Sequence, residues 1–319
     1  MRIGFDAMGG DFAPLECVKG AALAAELHPD WTLVLYGPND QIVEVCATLN
    51  INPETFEIVD CPSVIGMSDH PVKAIASKPD SSLARGFQHL AEGKVEAFVS
   101  AGNTGAMLVG ALMSVKAIDG VMRPCLTSLI PRENKIPGLL LDVGANSDVK
   151  PEHLQQFALL GSLYYKALFK VENPPVALLN IGEEEEKGSL LTKAAHQLLK
   201  DTPGINFAGN AEGRDIFSED FDVIVCDGFT GNVIIKVCEG MFYRLLKRGI
   251  QDDYLDKFNF KYYGGSSILG VNAPVIVGHG ITKADTFVKM LEVAADQIQS
   301  GLIPEMRRSF ASFAQQEQG

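Results

Sequence analysis

Two polar residues stand out in the sequence because each closes a glycine-containing loop. Lys187 follows four glutamates and precedes Gly188, and Asn232 ends the segment CDGFTGN at residues 226–232. A lysine ammonium in such a loop can offset the charge of a bound anion or of an oxyanion that forms during a reaction. It could equally form an ion pair with a neighbouring glutamate. An asparagine at the start of a helix can donate to a carbonyl oxygen, and it can also cap that helix.

Both residues belong to a set of seven loops rich in glycine and small polar residues. Glycine lets the backbone approach a ligand, and the amides at the start of the next helix offer donors to an anion. Such loops favour a small oxyanion, phosphate above all, although any one of them alone could be an ordinary turn. The loops are DAMGGD (6–11), SAGNTG (100–105), DVGANSD (142–148), NIGEEEEKG (180–188), GNAEGRD (209–215), CDGFTGN (226–232) and GHG (278–280).

Short apolar segments alternate with helical ones along the chain, and this alternation must position the loops. Apolar runs such as residues 2–5, 139–143 and 222–226 are followed by a loop and then by residues with helical spacing. The pattern predicts an α/β fold with a mostly parallel sheet covered by helices. Loops that follow parallel strands emerge at the carboxyl edge of the sheet, so we expect all seven to converge on one cleft.

Missing motifs exclude several kinds of site. The chain has no GxGxxG after its first strand, no GxxxxGK[ST], no GxSxG and no HExxH, so a nucleotide, serine hydrolase or zinc peptidase site has no support. The six cysteines stand singly, and we expect buried reduced thiols, no metal and no cofactor. His28, His89, His153 and His196 fit surface or helical positions, whereas His279 lies between two glycines and could face the cleft.

Composition and charge narrow the class of partner. With 319 residues, 46% of them hydrophobic, and a formal net charge of -13, the chain can bury a large core but should repel nucleic acid. No signal peptide opens the sequence, and no apolar run is long enough to span a bilayer. We predict a cytoplasmic protein with one domain over residues 1–311 and a polar tail over residues 312–319.

Longer motifs carry a resemblance to a known family. DAMGGD with Ala13 and Pro14, SAGNTGA, LLLDVGAN followed by residues 150–153, LLNIGEEEEKG and DGFTGNV resemble the acyl-acyl carrier protein:phosphate acyltransferase family, PlsX, over residues 1–299. The resemblance implies an enzyme of phospholipid synthesis that moves a fatty acyl group from acyl carrier protein to inorganic phosphate. It also implies a homodimer and a Rossmann-like α/β/α sandwich related to the isocitrate and isopropylmalate dehydrogenases and to phosphate acetyltransferases.

The resemblance assigns roles to particular residues. The catalytic pair of the family matches Lys187 and Asn232. Phosphate is already an anionic nucleophile, so its attack on a thioester needs placement and charge stabilisation rather than a covalent enzyme intermediate or a metal. We expect substrate contacts from the other loop residues, namely Asp6, Gly9, Gly10, Asp11, Ser100, Gly102, Asn103, Thr104, Gly105, Asp142, Gly144, Asn146, Asp227, Thr230, Gly231 and His279.

One segment departs from many members of that family, which carry a longer amphipathic helical hairpin that contacts the membrane and the dimer partner. Here only a short stretch separates Met241 from Tyr263, so peripheral membrane contact is left open. The stretch 236–261 holds six Lys or Arg and four acidic residues, net +2, which leaves -15 on the rest of the chain. We expect this stretch to dock the acidic carrier protein with an affinity that falls with salt.

Three other functions fit parts of the sequence. Acyl transfer between coenzyme A and phosphate would use the same loops. A nicotinamide-dependent hydroxyacid dehydrogenase of the same fold would need a dinucleotide site, for which the glycine fingerprint is missing. A non-catalytic carrier-protein or membrane docking factor would keep the fold without needing Lys187 and Asn232. Phosphate-dependent release of free carrier protein from its acyl form would distinguish the main prediction from these alternatives.

Overall fold

The computed structural model describes residues 1–133 and 136–316. These residues form two compact units. Unit 1 comprises Met1–Ala117 and Tyr263–Gln299, and unit 2 comprises Ile118–Tyr262 with the described part of Ser300–Gly319. The single domain over residues 1–311 stays a prediction.

The strands are short and mostly apolar. Four of them are buried over nearly their whole length, as expected of strands covered by helices on both faces, and these are Arg2–Asp6, Ala97–Ser100, Gly138–Leu141 and Val223–Val225. In chain order the strands are β1 (Arg2–Asp6), β2 (Thr32–Gly37), β3 (Glu57–Asp60), β4 (Ala97–Ser100), β5 (Cys125–Ile130), β6 (Gly138–Leu141), β7 (Pro175–Leu179), β8 (Asn206–Ala211), β9 (Val223–Val225), β10 (Ser266–Leu269) and β11 (Val275–Val277).

The helices separate most of these strands along the chain. None of the helices in the described ranges is both long and apolar enough to cross a membrane. They are α1 (Leu15–Leu27), α2 (Asn39–Leu49), α3 (Pro71–Ser77), α4 (Ser82–Ala91), α5 (Thr104–Gly110), α6 (Pro151–Phe169), α7 (Leu190–Lys200), α8 (Gly228–Lys247), α9 (Asp253–Asp256), α10 (Ala284–Gln299) and α11 (Leu302–Gln316).

In unit 1 the strands lie in the order β3-β2-β1-β4-β11-β10. Neighbouring strands are parallel except β10 and β11. Helices α1 and α10 pack against each other, and Phe5 of β1 and Phe287 of α10 belong to the same buried cluster, with ring centroids 5.1 Å apart. Val277 pairs with Ser100, so the loops that follow β4 and β11 leave the sheet at the same edge.

In unit 2 the strands lie in the order β5-β6-β9-β7-β8. Only β5 and β6 are antiparallel. Leu141 pairs with Val225, so the loops after β6 and β9 also emerge together. Helix α6 packs on β9 and buries Phe157 and Leu160. The predicted α/β architecture with mostly parallel strands is confirmed.

The cysteines are unpaired thiols, as predicted. In unit 1, Cys17, Cys46 and Cys61 are buried, and in unit 2, Cys125 and Cys226 are buried. Burial raises the pKa of each of these thiols, to about 12 for Cys61. Cys238, on α8, is only half-buried. The five buried thiols are therefore held in their unreactive protonated form.

The C-terminal segment is helical where the structure describes it. Residues 312–316, which are part of the predicted polar tail, form the last part of α11, and residues 317–319 lie outside the described residues. Upstream in the same helix, Leu302, Met306 and Phe310 are completely buried. These positions repeat every four residues, so one face of α11 packs into unit 2.

Candidate active site

In unit 1, Asp6 ties together the loops that follow β1 and β4. Its carboxylate is buried and accepts from Ser100 Oγ at 2.6 Å and from the Met8 amide at 3.0 Å. The Gly102 amide donates to Ser100 Oγ at 2.9 Å. Burial raises the pKa of Asp6, partly opposed by the hydrogen bonds that the carboxylate accepts. Asp6 and Ser100 thus fix the shape of both loops, and their contact with a substrate stays a prediction.

The loop that follows β11 joins the same cluster. The Asp11 amide donates to Gly280 O at 2.7 Å, and His279 O accepts from the Thr282 amide at 2.9 Å. Unit 1 therefore brings together three of the predicted loops, with Asp6, Gly9, Gly10, Asp11, Ser100, Gly102 and His279 on them.

Asn103 anchors the start of α5. Its Oδ1 accepts from the Ala106 amide at 3.0 Å, and its Nδ2 lies within hydrogen-bond distance of three carbonyls in the segment 66–69, the shortest being Asp69 O at 2.9 Å. Thr104 and Gly105, the first residues of α5, are exposed and half-buried. First-turn amides have no partner inside their own helix. The Asn103 side chain is thus occupied by contacts within unit 1, and its predicted substrate contact gains no support.

In unit 2, Asp142 organises the loop after β6 much as Asp6 organises the loop after β1. Its side chain is completely buried and accepts from the amides of Leu126, Gly144, Ala145 and Asn146 at 2.7–3.2 Å, and from Asn146 Nδ2 at 2.9 Å. A carboxylate has about four lone-pair positions, and these bonds use them. Asp142 therefore shapes the loop, and its predicted substrate contact gains no support.

The start of α8 is capped by Asp227 and not by Asn232. Asp227 Oδ1 accepts from the Thr230 amide at 2.8 Å, and Oδ2 accepts from Thr230 Oγ1 at 2.7 Å. The capping role that the sequence left open for Asn232 is thus filled by another residue. Because Asp227 and Thr230 hydrogen bond to each other, the side-chain amide of Asn232 is not needed to cap the helix.

Asn232 lies against the loop that Asp142 shapes. Its Nδ2 donates to Val143 O at 3.2 Å, and the residue is exposed. The approach is close because Gly231 has no side chain, since a Cβ there would overlap Asp142 O. An amide NH2 carries two hydrogens, so one N–H of Asn232 is fixed on Val143 and the other is available to a ligand.

The loop after β7 presents Lys187 on a hydrogen-bonded turn. The Lys187 amide donates to Glu184 O at 3.1 Å, and Lys187 O accepts from Asn180 Nδ2 at 3.1 Å. Gly188 continues the chain with φ +97°, where a Cβ would overlap the Asn180 side chain, so only glycine fits this position. The backbone of Lys187 is therefore held on both sides.

Two of the four glutamates in this loop have cationic partners other than Lys187. Glu183 pairs with Arg214 at 3.1 Å, and Glu185 pairs with Lys200 at 2.7 Å. Lys200 lowers the pKa of Glu185. Within residues 1–133 and 136–316, no ion pair or hydrogen bond engages the Lys187 ammonium, which is exposed. The alternative of an internal Lys187 ion pair is not what the structure shows.

An acidic group next to this loop resembles a cation site by distance. Ligand atoms of Glu183, Glu212 and Asp215 lie within 4.8 Å of one another. Arg214 forms ion pairs with all three, at 3.1, 2.5 and 3.7 Å, so an arginine already supplies the positive charge. Asp215 also lines a cavity of about 410 Å³ together with Glu183 and Asp220. Three carboxylates at this cavity disfavour phosphate there.

The predicted site residues thus divide between the two units. Unit 2 holds Asp142, Gly144, Asn146, Lys187, Asp227, Thr230, Gly231 and Asn232. The loops after β6 and β9 are joined by the Gly228 amide, which donates to Asn146 O at 2.7 Å. The convergence of all seven loops on one cleft stays a prediction.

The side chains that support the Lys187 loop are not among the predicted site residues. Asn180, Asn210 and His196 are buried polar residues, and each hydrogen bonds to the loop or to a residue that does. The available signal was an asparagine at the end of an apolar strand and a histidine on the apolar face of a helix. Such residues need partners when they are buried.

A family model and curated relatives both match nearly the whole chain. The family model described as "Fatty acid synthesis protein" matches residues 1–305. A curated relative from Dictyoglomus turgidum, named phosphate acyltransferase, is 42% identical over 318 residues, which covers 94% of each chain. A second relative with that name, from Clostridium tetani, is 38% identical over 331 residues and covers 98% of each chain.

Solved structures share the fold at low sequence identity. A phosphotransacetylase from Streptococcus pyogenes matches with a TM-score of 0.67 and 18% identity, covering 94% of each chain. At this identity the likeness bears on the fold alone, and it agrees with the phosphate acetyltransferase relationship expected from the sequence.

Proposed function

Because the chain belongs to the fatty acid synthesis protein family and its close relatives are phosphate acyltransferases, we propose that it transfers a fatty acyl group from acyl carrier protein to inorganic phosphate. A phosphate oxygen attacks the carbonyl carbon of the thioester, and a tetrahedral oxyanion forms. The C–S bond then breaks, the carrier leaves as its thiolate, and acyl phosphate is the product. No covalent enzyme intermediate is required, because the nucleophile is already anionic.

The observation that carries this proposal is the unengaged ammonium of Lys187. The neighbouring Glu183 and Glu185 are balanced by Arg214 and Lys200, so the Lys187 charge is left to act on a ligand. A cation held on a fixed turn can offset the charge of phosphate as it attacks. Lys187 is thus assigned as a catalytic residue.

Asn232 is assigned to the thioester carbonyl. Its Nδ2 is fixed on Val143 O, and its second N–H can donate to the carbonyl oxygen as negative charge develops there. The position in the second turn of α8 adds the positive end of the helix dipole. A donor that is in place before the reaction stabilises the oxyanion without reorganisation.

Acyl carrier protein as the donor is supported by charge at the far end of α8. Arg244, Lys247 and Arg248 are exposed, and none forms an ion pair within the described part of unit 2. An acidic carrier protein would meet unbalanced positive charge there. Phosphate binding by the unit 1 loops stays a prediction.

The other predicted partners are a second copy of the chain and a membrane surface. Every fourth residue of α8 exposes an apolar side chain, and these are Phe229, Val233, Val237 and Met241. An exposed apolar stripe of this kind supports a homodimer or membrane contact. Sedimentation and liposome flotation would distinguish these two, and a cytoplasmic location also stays a prediction.

The test of the proposed function is release of free carrier protein from palmitoyl-acyl carrier protein with and without inorganic phosphate. We expect release to depend on phosphate and to match acyl phosphate formed, one for one. Release without phosphate would contradict the proposal. Palmitoyl-coenzyme A offered together with the acyl carrier protein tests the alternative donor, and preferential use of the coenzyme A ester would replace the carrier protein in this assignment.

A further inference from the structure

A buried histidine and a buried asparagine in unit 2 have no place in the chemistry above. His196 lies on α7 and is 4% exposed, and Asn210 lies on β8 and is 5% exposed. His196 Nδ1 is 2.9 Å from Asn210 Oδ1. Asn210 Nδ2 donates to Glu184 O at 3.0 Å. Glu184 O is the carbonyl that also accepts from the Lys187 amide.

The donors and acceptors of His196, Asn210 and Glu184 allow only one arrangement of these hydrogen bonds. A backbone carbonyl can only accept, so Asn210 must turn its NH2 toward Glu184 and its Oδ1 toward His196. His196 must then carry a proton on Nδ1, because an amide oxygen cannot donate. The ring is packed edge-on against Phe207, with centroids 5.0 Å apart. The donor on His196 is thereby held in orientation by packing and by its partner.

This series of hydrogen bonds ends at the turn that carries the catalytic lysine. Glu184 O accepts two hydrogen bonds, one from Asn210 and one from the Lys187 amide. The Asn210 bond fixes the direction of the carbonyl, and the carbonyl fixes the turn. His196 Nε2 also lies 3.8 Å from Glu185 Oε1 in the same loop, although Lys200 is the closer partner of Glu185.

We propose that His196 and Asn210 are positioning residues that hold the Lys187 turn in its working conformation without touching substrate. The proposal rests on the proposed function, since it presumes that the place of Lys187 matters for turnover. It predicts that loosening the turn lowers the rate, because displacement of a catalytic group by about 1 Å can cost up to a hundredfold.

The first test changes Asn210→Asp, which keeps the shape and the acceptor for His196 but removes the donor to Glu184. The matched control is Asn206→Asp on the same strand, where the amide donates to Asn173 O outside the Lys187 loop. Amide hydrogen exchange of residues 183–188 is measured in both full-length variants, together with turnover at saturating phosphate. We expect faster exchange and a turnover loss of at least about tenfold only in Asn210→Asp.

The second test asks whether His196 acts through its Nδ1 donor or only through its bulk. His196→Asn can place an amide N–H near the position of Nδ1, whereas His196→Leu fills space without a donor. We expect His196→Asn to restore most of the exchange protection in residues 183–188 and most of the turnover that His196→Leu loses. Equal behaviour of the two variants would overturn the role of His196.

Failure of this proposal can be distinguished from failure of the proposed function. Unchanged exchange in residues 183–188 of Asn210→Asp would overturn the positioning role, whatever the activity. Faster exchange with full activity would mean that the Asn210 hydrogen bond holds the turn but that this does not affect catalysis through Lys187. Loss of exchange protection throughout unit 2 would mean a role in folding and would also overturn the proposal.

Discussion

Lys187 differs from Glu183 and Glu185 beside it, because no ion pair in the described residues engages its ammonium. The glutamates that precede it in sequence suggest an internal ion pair, yet Arg214 and Lys200 come from a loop and a helix further along the chain and take that place. The sequence could predict the type of residue needed. It could not predict that Lys187 would be left unpaired, because this depends on ion pairs that the loop glutamates form with residues distant in sequence.

Replacement of Lys187 tests its charge directly. We expect Lys187→Ala to lower turnover about a hundredfold or more, because loss of one preorganised electrostatic contact costs roughly 3 kcal/mol. Lys193→Ala is the matched control, since Lys193 is also exposed and lies on the following helix α7. Initial rates at saturating donor and phosphate measure the effect. Similar rates in Lys187→Ala and Lys193→Ala would remove Lys187 from the catalytic assignment.

Asp6 should make stability depend on pH. Burial raises its pKa in the folded state, so the folded state binds this proton more tightly than the unfolded state does. Its contribution to stability is therefore fully present below the ordinary carboxyl pKa of about 4 and is lost as the pH rises through the folded-state value. We expect the unfolding free energy of the wild type to fall relative to Asp6→Asn over that range. Urea unfolding from pH 4 to 8 measures this difference, and a difference independent of pH would contradict it.

Helix α8 is the element that joins most of the proposed chemistry. Asp227 caps it, Asn232 lies in its second turn, and its far end is basic. Only Gly228, Gly231 and Phe242 are buried along its twenty residues. Its position is therefore set mainly by the close approach of its first turn to the Asp142 loop.

Two glycines of α8 offer a matched test of that close approach. A Cβ at Gly231 would overlap Asp142 O, whereas a Cβ at Gly240 would meet nothing within 4 Å. We expect Gly231→Ala to lower stability by about 2 kcal/mol or more and to lower turnover, because α8 must move away from the loop. Gly240→Ala should raise stability by about 0.5–1 kcal/mol, since alanine favours the helix. Denaturant unfolding of both variants checks the opposite signs, and a neutral Gly231→Ala would refute the packing argument.

The elements themselves were partly predictable. The cap at Ser81, whose Oγ accepts from the Ala84 amide, and the start of α6 at Pro151 can be predicted from the sequence. Both depend on local residue types. Strand β10 is difficult to predict from the sequence because it is short and begins with two serines, and its pairing with β11 is a tertiary contact. Helix α11 is difficult to predict because Pro304 usually indicates a helix boundary. Here it lies in the first turn of α11, where proline is tolerated.

At the scale of the whole molecule, the net charge of -13 opposes the anionic substrates proposed for it. The compensating positive charge is local, at Arg244, Lys247 and Arg248. Composition could predict that charge must be unevenly distributed. The stretch 236–261 was predictable as the place, but the exposure of these three side chains depends on how α8 packs.

Charge reversal tests this distribution. We expect Arg244→Glu with Lys247→Glu to raise the KM for acyl carrier protein at least about tenfold at low salt, and the difference should shrink as salt screens the contact. Lys19→Glu with Lys73→Glu is the control, because both lysines are exposed in unit 1 and the net charge changes equally. Steady-state kinetics at several salt concentrations measure the effect. An equal rise in both double variants would point to the mean field of the protein rather than to docking.

The buried thiols allow the local unfolding of each unit to be measured separately. A thiol reagent can reach Cys17, Cys46 or Cys61 only when unit 1 opens, and Cys125 or Cys226 only when unit 2 opens. We expect the half-buried Cys238 to label first, followed by slower labelling that separates into one rate for each unit. Mass spectrometry of the labelled peptides would read these rates without any engineered probe, and labelling of the buried thiols as fast as Cys238 would contradict the expectation. Substrates that steady one unit would slow labelling of its thiols alone, so the native cysteines can show which unit each substrate binds.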